Sequence, residues 1–180
     1  VAVKVPVFST EKLPKVEVTL GPEMRSTGEV LGIGMNLTEA MYKGFTAAKT
    51  TIPKKGSTIL ATIRDYDKEE FLPLAKRLYD FGCNIIATKG TAAMLEENGI
   101  PCQVAKKVTE GVPNILDIIR SGVVDVIIDT PQKTNDINSD SFRIRRVAIE
   151  SDITIMTSLD TFGAHVDVME SGYTTDNLNV

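Results

Sequence analysis

The residues best equipped for chemistry fall into short segments rich in lysine and small hydroxyls, each directly following an apolar run. Arg64, Asp65, Tyr66, Asp67 and Lys68 follow the first run, and Thr88, Lys89, Gly90 and Thr91 the second. Lys106, Lys107, Val108 and Thr109 follow the third, Asp129, Thr130 and Pro131 the fourth, and Thr157 and Ser158 the fifth. Mobile cations, hydroxyl donors and backbone N–H groups at helix starts are what a phosphate requires, with a favourable helix dipole behind them. Thr88-Lys89-Gly90-Thr91 is the centre of this set. Taken singly, each lysine reads as a solvated surface charge and Thr88 as a helix cap. Convergence at the strand ends of one sheet favours an anion site instead. Asp129 by itself reads equally as a turn cap, and the single histidine, His165, is assigned to a helix surface or the core because nothing in the sequence pairs with it.

The elements that must position these segments alternate. Five β-type runs cover 57–63 (STILATI), 84–87 (NIIA), 102–105 (CQVA), 124–128 (VDVII) and 153–156 (ITIM), and a helical stretch follows each. A D-x-x-E pair, Asp67 and Glu70, predicts a capping box for a helix over 68–81, bent at Pro73 and ended by Gly82. The second helix is expected over 91–98, and the third opens near Pro113 and closes at Gly122. A fourth, over 141–150, is capped by Ser139 or Asp140, and a fifth spans 161–170. Strict β/α alternation implies α/β architecture: a five-stranded parallel sheet with helices on both faces, a Rossmann-type three-layer sandwich. VDVIID and NIIAT are apolar on both faces, as central strands are. Ligands in such sheets bind outside the carboxyl ends of the strands, where strand order reverses.

The first 56 residues lack this regularity, which places a boundary near 53–56 and divides the chain into 1–56 and 57–180. Within the leader, VAVKVPVF alternates like a strand, GPEMRSTGEVLGIG is rich in turn formers, and TEAMYKGFTAAK reads as a helix opened by Thr38 with an apolar core face of Met41, Phe45 and Ala48. The opening residues carry neither an apolar signal segment nor an initiating Met, so the chain reads as starting inside a longer protein.

Composition sets the outer limits. With 180 residues there is room for one core plus an appendage. A net charge of −4 offers no bulk positive field for nucleic acid or an anionic membrane, so any anion must be bound locally. No apolar run approaches the ~18 residues of a membrane span. Cys83 and Cys102 lie in apolar stretches without zinc-type spacing, and are expected as reduced, buried thiols in a cytoplasmic protein. The P-loop, nucleophile-elbow, zincin and dinucleotide fingerprints are all missing, and no convincing carboxylate set for Mg²⁺ is present; no catalytic or metal-ligating residue is assigned.

The ordered series GPEMRSTGEV, YDKEEFLPLAKRLYDFG, ATKGTAAMLEENGI, KKVTEGVPNILDIIRSG, VIIDTP and DSFRIRR resembles one family across nearly the whole chain. The first segment is similar to the end of the second ATP-grasp unit of the carbamoyl phosphate synthetase large subunit. The remainder is similar to that subunit's C-terminal allosteric domain, of the methylglyoxal-synthase-like fold. The resemblance implies an effector phosphate site of Lys68, Thr88, Gly90, Thr91 and Lys107, and a nucleoside side of Asp129, Thr130, Asp140, Ser141 and Ile144. It further implies a regulatory portion binding a nucleotide monophosphate, UMP as inhibitor with IMP competing as activator, that is inactive alone and carries no cofactor. ATP and Mg (or Mn) would serve the parent ligase of pyrimidine and arginine biosynthesis. Implied partners are the rest of the large subunit, the small glutaminase subunit and a second copy of itself, with no nucleic acid and no membrane. Many relatives carry Asn where Asp129 stands, which bears on how the ribose or base is held and adds a negative charge near the phosphate. Ile155 replaces the tyrosine through which ornithine acts in some relatives, and the chain lacks the tryptophan of those that bind N-acetylglutamate.

The rival reading is a methylglyoxal-synthase-type enzyme eliminating phosphate from a triose phosphate. That reaction needs a general base beside the substrate carbon. The corresponding loop reads Glu110-Gly111-Val112-Pro113-Asn114, and the one histidine lies elsewhere.

Overall fold

The computed structural model describes residues 1–7, 26–130 and 139–178. Pro131 and residues 21–25 of the GPEMRSTGEV segment lie outside them. The main sheet holds β3 (Thr58–Thr62), β4 (Asn84–Thr88), β5 (Gln103–Ala105), β6 (Val126–Asp129) and β7 (Thr154–Met156), in the order β5-β4-β3-β6-β7, every pair parallel. The chain moves outward from β3 to β5, then returns to place β6 on the other side of β3. Strand order therefore reverses between β3 and β6, and the crevice expected of such sheets opens there.

Alternation along β3 shows how the layers form. Ile59, Ala61 and Ile63 face one way, into a core closed by Phe71, Ala75 and Leu78 of α2 (Lys68–Phe81), Leu95 of α3 (Lys89–Glu97) and Phe162 and Val166 of α6 (Leu159–Ser171). Leu60 faces the other way, with Ile127, onto Ile115 and Ile119 of α4 (Ile115–Arg120) and Ile144 and Val147 of α5 (Asp140–Glu150). A period of two on a strand buried on both sides needs consecutive apolar residues, which Ile59, Leu60 and Ala61 of β3 and Val126, Ile127 and Ile128 of β6 supply.

Helix ends follow side-chain chemistry that the sequence leaves ambiguous. The helix over 68–81 runs through Pro73 and ends at Gly82, whose φ of 95° suits a residue without Cβ. The anticipated Asp67–Glu70 capping box does not form, because Asp67 gives its carboxylate to Arg64. Asn114, not Pro113, opens α4, pairing reciprocally with Asp117. Ser139 caps α5 and Ser158 caps α6.

The leader is more regular than its turn-forming residues suggest. β1 (Ala2–Val7) pairs antiparallel with β2 (Gly28–Ile33), and α1 (Leu37–Ala47) packs across both, capped by Asn36 rather than Thr38. Gly32 is what permits that approach: a Cβ there would lie 2.0 Å from the Ala40 carbonyl oxygen. A third core joins the leader to the main sheet's helical layer through Val5, Phe45 and Val168. His165 belongs to this contact, 2% exposed, with its ring stacked on Phe45 at 3.9 Å between centroids and 13° between planes. Its Nδ1 sits 2.9 Å from the Thr161 carbonyl, which can only accept, so the proton is on Nδ1 and Nε2 is left buried without a hydrogen bond among the described residues.

Burial holds the His165 imidazole below its ordinary pKa, against the Thr161 carbonyl, which pushes it up. A histidine depressed in the folded state contributes full stability above its unfolded value of ~6.5 and loses it as pH falls below that. Thermal unfolding of the wild type should therefore occur at lower temperature at pH 5.5 than at pH 7.5. In His165→Phe, which keeps an aromatic face against Phe45, that difference should shrink; an unchanged difference would show that other groups govern it.

Candidate functional site

A cleft of about 380 Å³ opens at the carboxyl ends of β3, β4 and β6, and its size is that of a small-ligand pocket. Lys68, Thr88, Gly90, Thr91, Lys107, Thr130, Asp140, Ser141 and Ile144 all line it. Thr62, Ile63, Arg64, Asp65, Ile115, Ser139 and Arg145 complete the lining.

The cationic end is built from three loops. Lys68, the first residue of α2, reaches across to the start of α3, where a Cβ on Gly90 would lie 3.3 Å from its Nζ. Gly90 thus keeps open the space between an ammonium and the first turn of a nine-residue helix, whose leading N–H groups have no partner within the helix. The Thr88 hydroxyl does not cap α3 and makes no hydrogen bond among the described residues. Thr91 differs. Fully buried, its Oγ1 accepts from the Ile63 N–H at 3.2 Å and faces the Ile63 carbonyl at 3.4 Å, pinning α3 to the end of β3. Lys107 is exposed and forms no ion pair among the described residues; its backbone N–H donates to Glu110 Oε2 at 2.9 Å, fixing the loop after β5. Lys89 lies outside the lining and is exposed.

The other end rests on Asp129. This residue is not on the wall of the cleft but beneath it, 0% exposed. Its carboxylate accepts from the Thr62 hydroxyl on β3, from Ser141 Oγ at 3.0 Å and from Arg145 Nη1 at 2.8 Å. Burial pushes the carboxyl above the usual range while the Thr62 hydroxyl, Arg145 and Ser141 pull it back down. The negative charge expected near the phosphate is therefore matched by an arginine that is itself 4% exposed. Thr130 bridges the reversal point, its N–H donating to the Thr62 carbonyl at 3.0 Å and its Oγ1 accepting from the Arg64 N–H at 2.8 Å.

Arg145 was not singled out by its sequence. The signal was present in DSFRIRR, where Ser141 and Arg145 stand four apart and so share one face of a helix. Arg64 is committed to Asp67, Nη2 lying 3.0 Å from Oδ1. Among the described residues no group of three or more His, Cys, Asp or Glu side chains is placed to hold a metal ion, and no helix is long and apolar enough to cross a membrane. Cys83 is buried and its thiol is pushed up to about 11, mainly by burial; Cys102 is half-buried, and both are free.

Residues 70–157 match the family model of the MGS-like domain. The chain is 55% identical over 168 residues, 93% of its length, to the carbamoyl phosphate synthase large chain of Clostridium botulinum strain Langeland. Identity is 53% over all 180 residues with the same protein of strain Loch Maree, and 55% over 172 residues with that of Clostridium perfringens strain 13. The chain spans only 16 to 17% of the length of these relatives. The five-stranded parallel sheet and its flanking helices agree with the match of residues 70–157 to the MGS-like domain model, and the chain is similar over its whole length to part of the carbamoyl phosphate synthase large chain.

Proposed function

We propose that the chain is the regulatory portion of a carbamoyl phosphate synthase large chain, binding a nucleotide monophosphate in the cleft between β3, β4 and β6. In this reading residues 57–180 form the effector domain and 1–56 the segment connecting it to the synthetase body. UMP is the inhibitor and IMP the competing activator. The observation that carries the reading is the cationic end of the cleft: Lys68 Nζ over Gly90, and a Thr88 hydroxyl and a Lys107 ammonium that have no partner among the described residues, surround the start of α3. A phosphate seated there meets an ammonium from each side and N–H groups from behind, all charge-assisted donors. Asp140, Ser141 and Ile144 on the first turns of α5 then line the nucleoside side. The parent enzyme's chemistry, with ATP and Mg (or Mn), its glutaminase partner and its cytoplasmic setting, belongs to the same reading and rests on the relatives' names.

The rival triose-phosphate chemistry is disfavoured because the cleft lining among the described residues holds no histidine, and one of its carboxylates, Asp65, is paired with Lys68. His165 is buried against Phe45 and is not a lining residue, and Glu110 holds the Lys107 backbone. Purified chain incubated with dihydroxyacetone phosphate should yield no methylglyoxal; measurable product would favour the enzyme reading.

Calorimetry with UMP and uridine tests the binding reading. Losing one charge-assisted partner costs ~1.5 to 3 kcal/mol, so Lys107→Ala should weaken UMP binding about tenfold or more, while Lys89→Ala leaves it unchanged. Uridine should bind poorly to all three proteins, and UMP binding should weaken as pH falls through the second phosphate pKa of ~6. Equal affinity for the two ligands, or no loss in Lys107→Ala, would place the phosphate elsewhere.

The two threonines should separate. Thr88→Val should weaken UMP with little change in melting temperature, because its hydroxyl has no partner among the described residues. Thr91→Val should lower the melting temperature, since it leaves the buried Ile63 N–H unsatisfied at a cost of ~1 to 3 kcal/mol.

A further inference from the structure

Lys68 already has a partner. Its Nζ lies 2.6 Å from Oδ1 of Asp65, three residues earlier, on the 3₁₀ turn Asp65–Asp67 that joins β3 to α2. The turn is braced from its other end by the Arg64–Asp67 pair, which presents Asp65 to the cleft, where it is a lining residue. The Asp65 carboxyl is held below the usual carboxylate range, first by the Lys68 hydrogen bond and its charge, with Lys107 across the cleft contributing as well. One carboxylate therefore lies in the field of both lysines that the proposed phosphate would use.

We propose that Asp65 is the resident counter-anion of the phosphate cradle, holding Lys68 over Gly90 while the cleft is empty and yielding it to an incoming phosphate. This rests on the reading of the cleft as a phosphate site. The asymmetry of the pair makes the exchange easy: the Asp65 side chain is 96% exposed while that of Lys68 is 19% exposed. Asp65 is already hydrated and loses little on release, whereas Lys68 stays between the cleft walls and needs an anion there. A single ammonium cannot neutralise a carboxylate and a phosphate dianion together, so the more exposed of the two anions leaves. Asp65 consequently lowers the affinity for every ligand that takes Lys68, and sets the concentration range over which the site responds.

The sign of the effect tests this. Calorimetry on the 180-residue chain, with inorganic phosphate and with UMP as probes, should show Asp65→Asn binding both about three- to tenfold more tightly, as expected for removing a competing exposed pair and a like charge from the cradle. Asp65→Glu should remain near wild type. Glu69→Gln removes the same charge from the adjacent exposed residue without releasing Lys68, and should gain less than twofold; in Lys68→Gln, adding Asp65→Asn should also gain less than twofold. Weaker or unchanged binding in Asp65→Asn, with Lys107→Ala still costing about tenfold, would overturn the counter-anion role and leave the phosphate site standing. No binding of either probe to wild type or Asp65→Asn would overturn both.

Discussion

A carboxylate and a guanidinium buried together, Asp129 and Arg145, set the conditions for the rest of the cleft. Asp129 is sealed from water and Arg145 nearly so, and losing the arginine would leave a buried carboxylate short of its charged partner at a cost of several kcal/mol. The pair joins three elements. Asp129 ends β6, its carboxylate takes the Thr62 hydroxyl at the end of β3, and Ser141 and Arg145 bring α5 down onto both. The strands on either side of the order reversal and the helix that walls the cleft are thereby fixed to one point. A charge adjacent to the proposed phosphate site looks unfavourable on paper, yet under the floor of the cleft it serves as an anchor.

Other contacts extend this logic outward. Thr91 ties α3 to the end of β3, and Thr130 ties the end of β6 to Arg64. Each uses a small hydroxyl to occupy backbone groups that the frayed ends of a parallel sheet would leave open. On the far side of α2, Arg77 reaches both Asp167 and Glu170, clamping α2 to α6 along the edge opposite the sheet. The lysine at the start of α2 is thus carried on a helix fixed at both ends.

Much of this was legible in the chain because apolar periodicity is a local property. The helix over 68–81 and its Gly82 stop, the two-faced strands and the parallel alternation all follow from neighbours in sequence. So did the gathering of Lys68, Thr88, Gly90, Thr91 and Lys107 on one cleft, since the ends of parallel strands point the same way. What escaped depends on partners distant in sequence or on rivalry between neighbours. Asp67 resembles a cap until Arg64 claims it, and Asn36 competes with Thr38 for the same helix start. β2 is disguised by glycines whose purpose, admitting α1, becomes visible only when α1 is in place. The role of Asp129 could not be read without Arg145, sixteen residues away.

The pairing of charges around the cleft has a kinetic consequence. Among the described residues, the cations that line it are Arg64, Lys68, Lys107 and Arg145, and the carboxylates that line or underlie it are Asp65, Asp67, Asp129 and Asp140. Three of the cations form ion pairs, Arg64–Asp67, Lys68–Asp65 and Arg145–Asp129, and such paired charges cancel beyond about a Debye length, ~8 Å in physiological salt. An anion approaching a chain of net charge −4 meets no attractive funnel, in contrast to enzymes whose one-signed clefts draw substrate in at rates that collapse with added salt. Encounter at this cleft is left to unassisted diffusion, and discrimination among solutes is made after arrival, by contact.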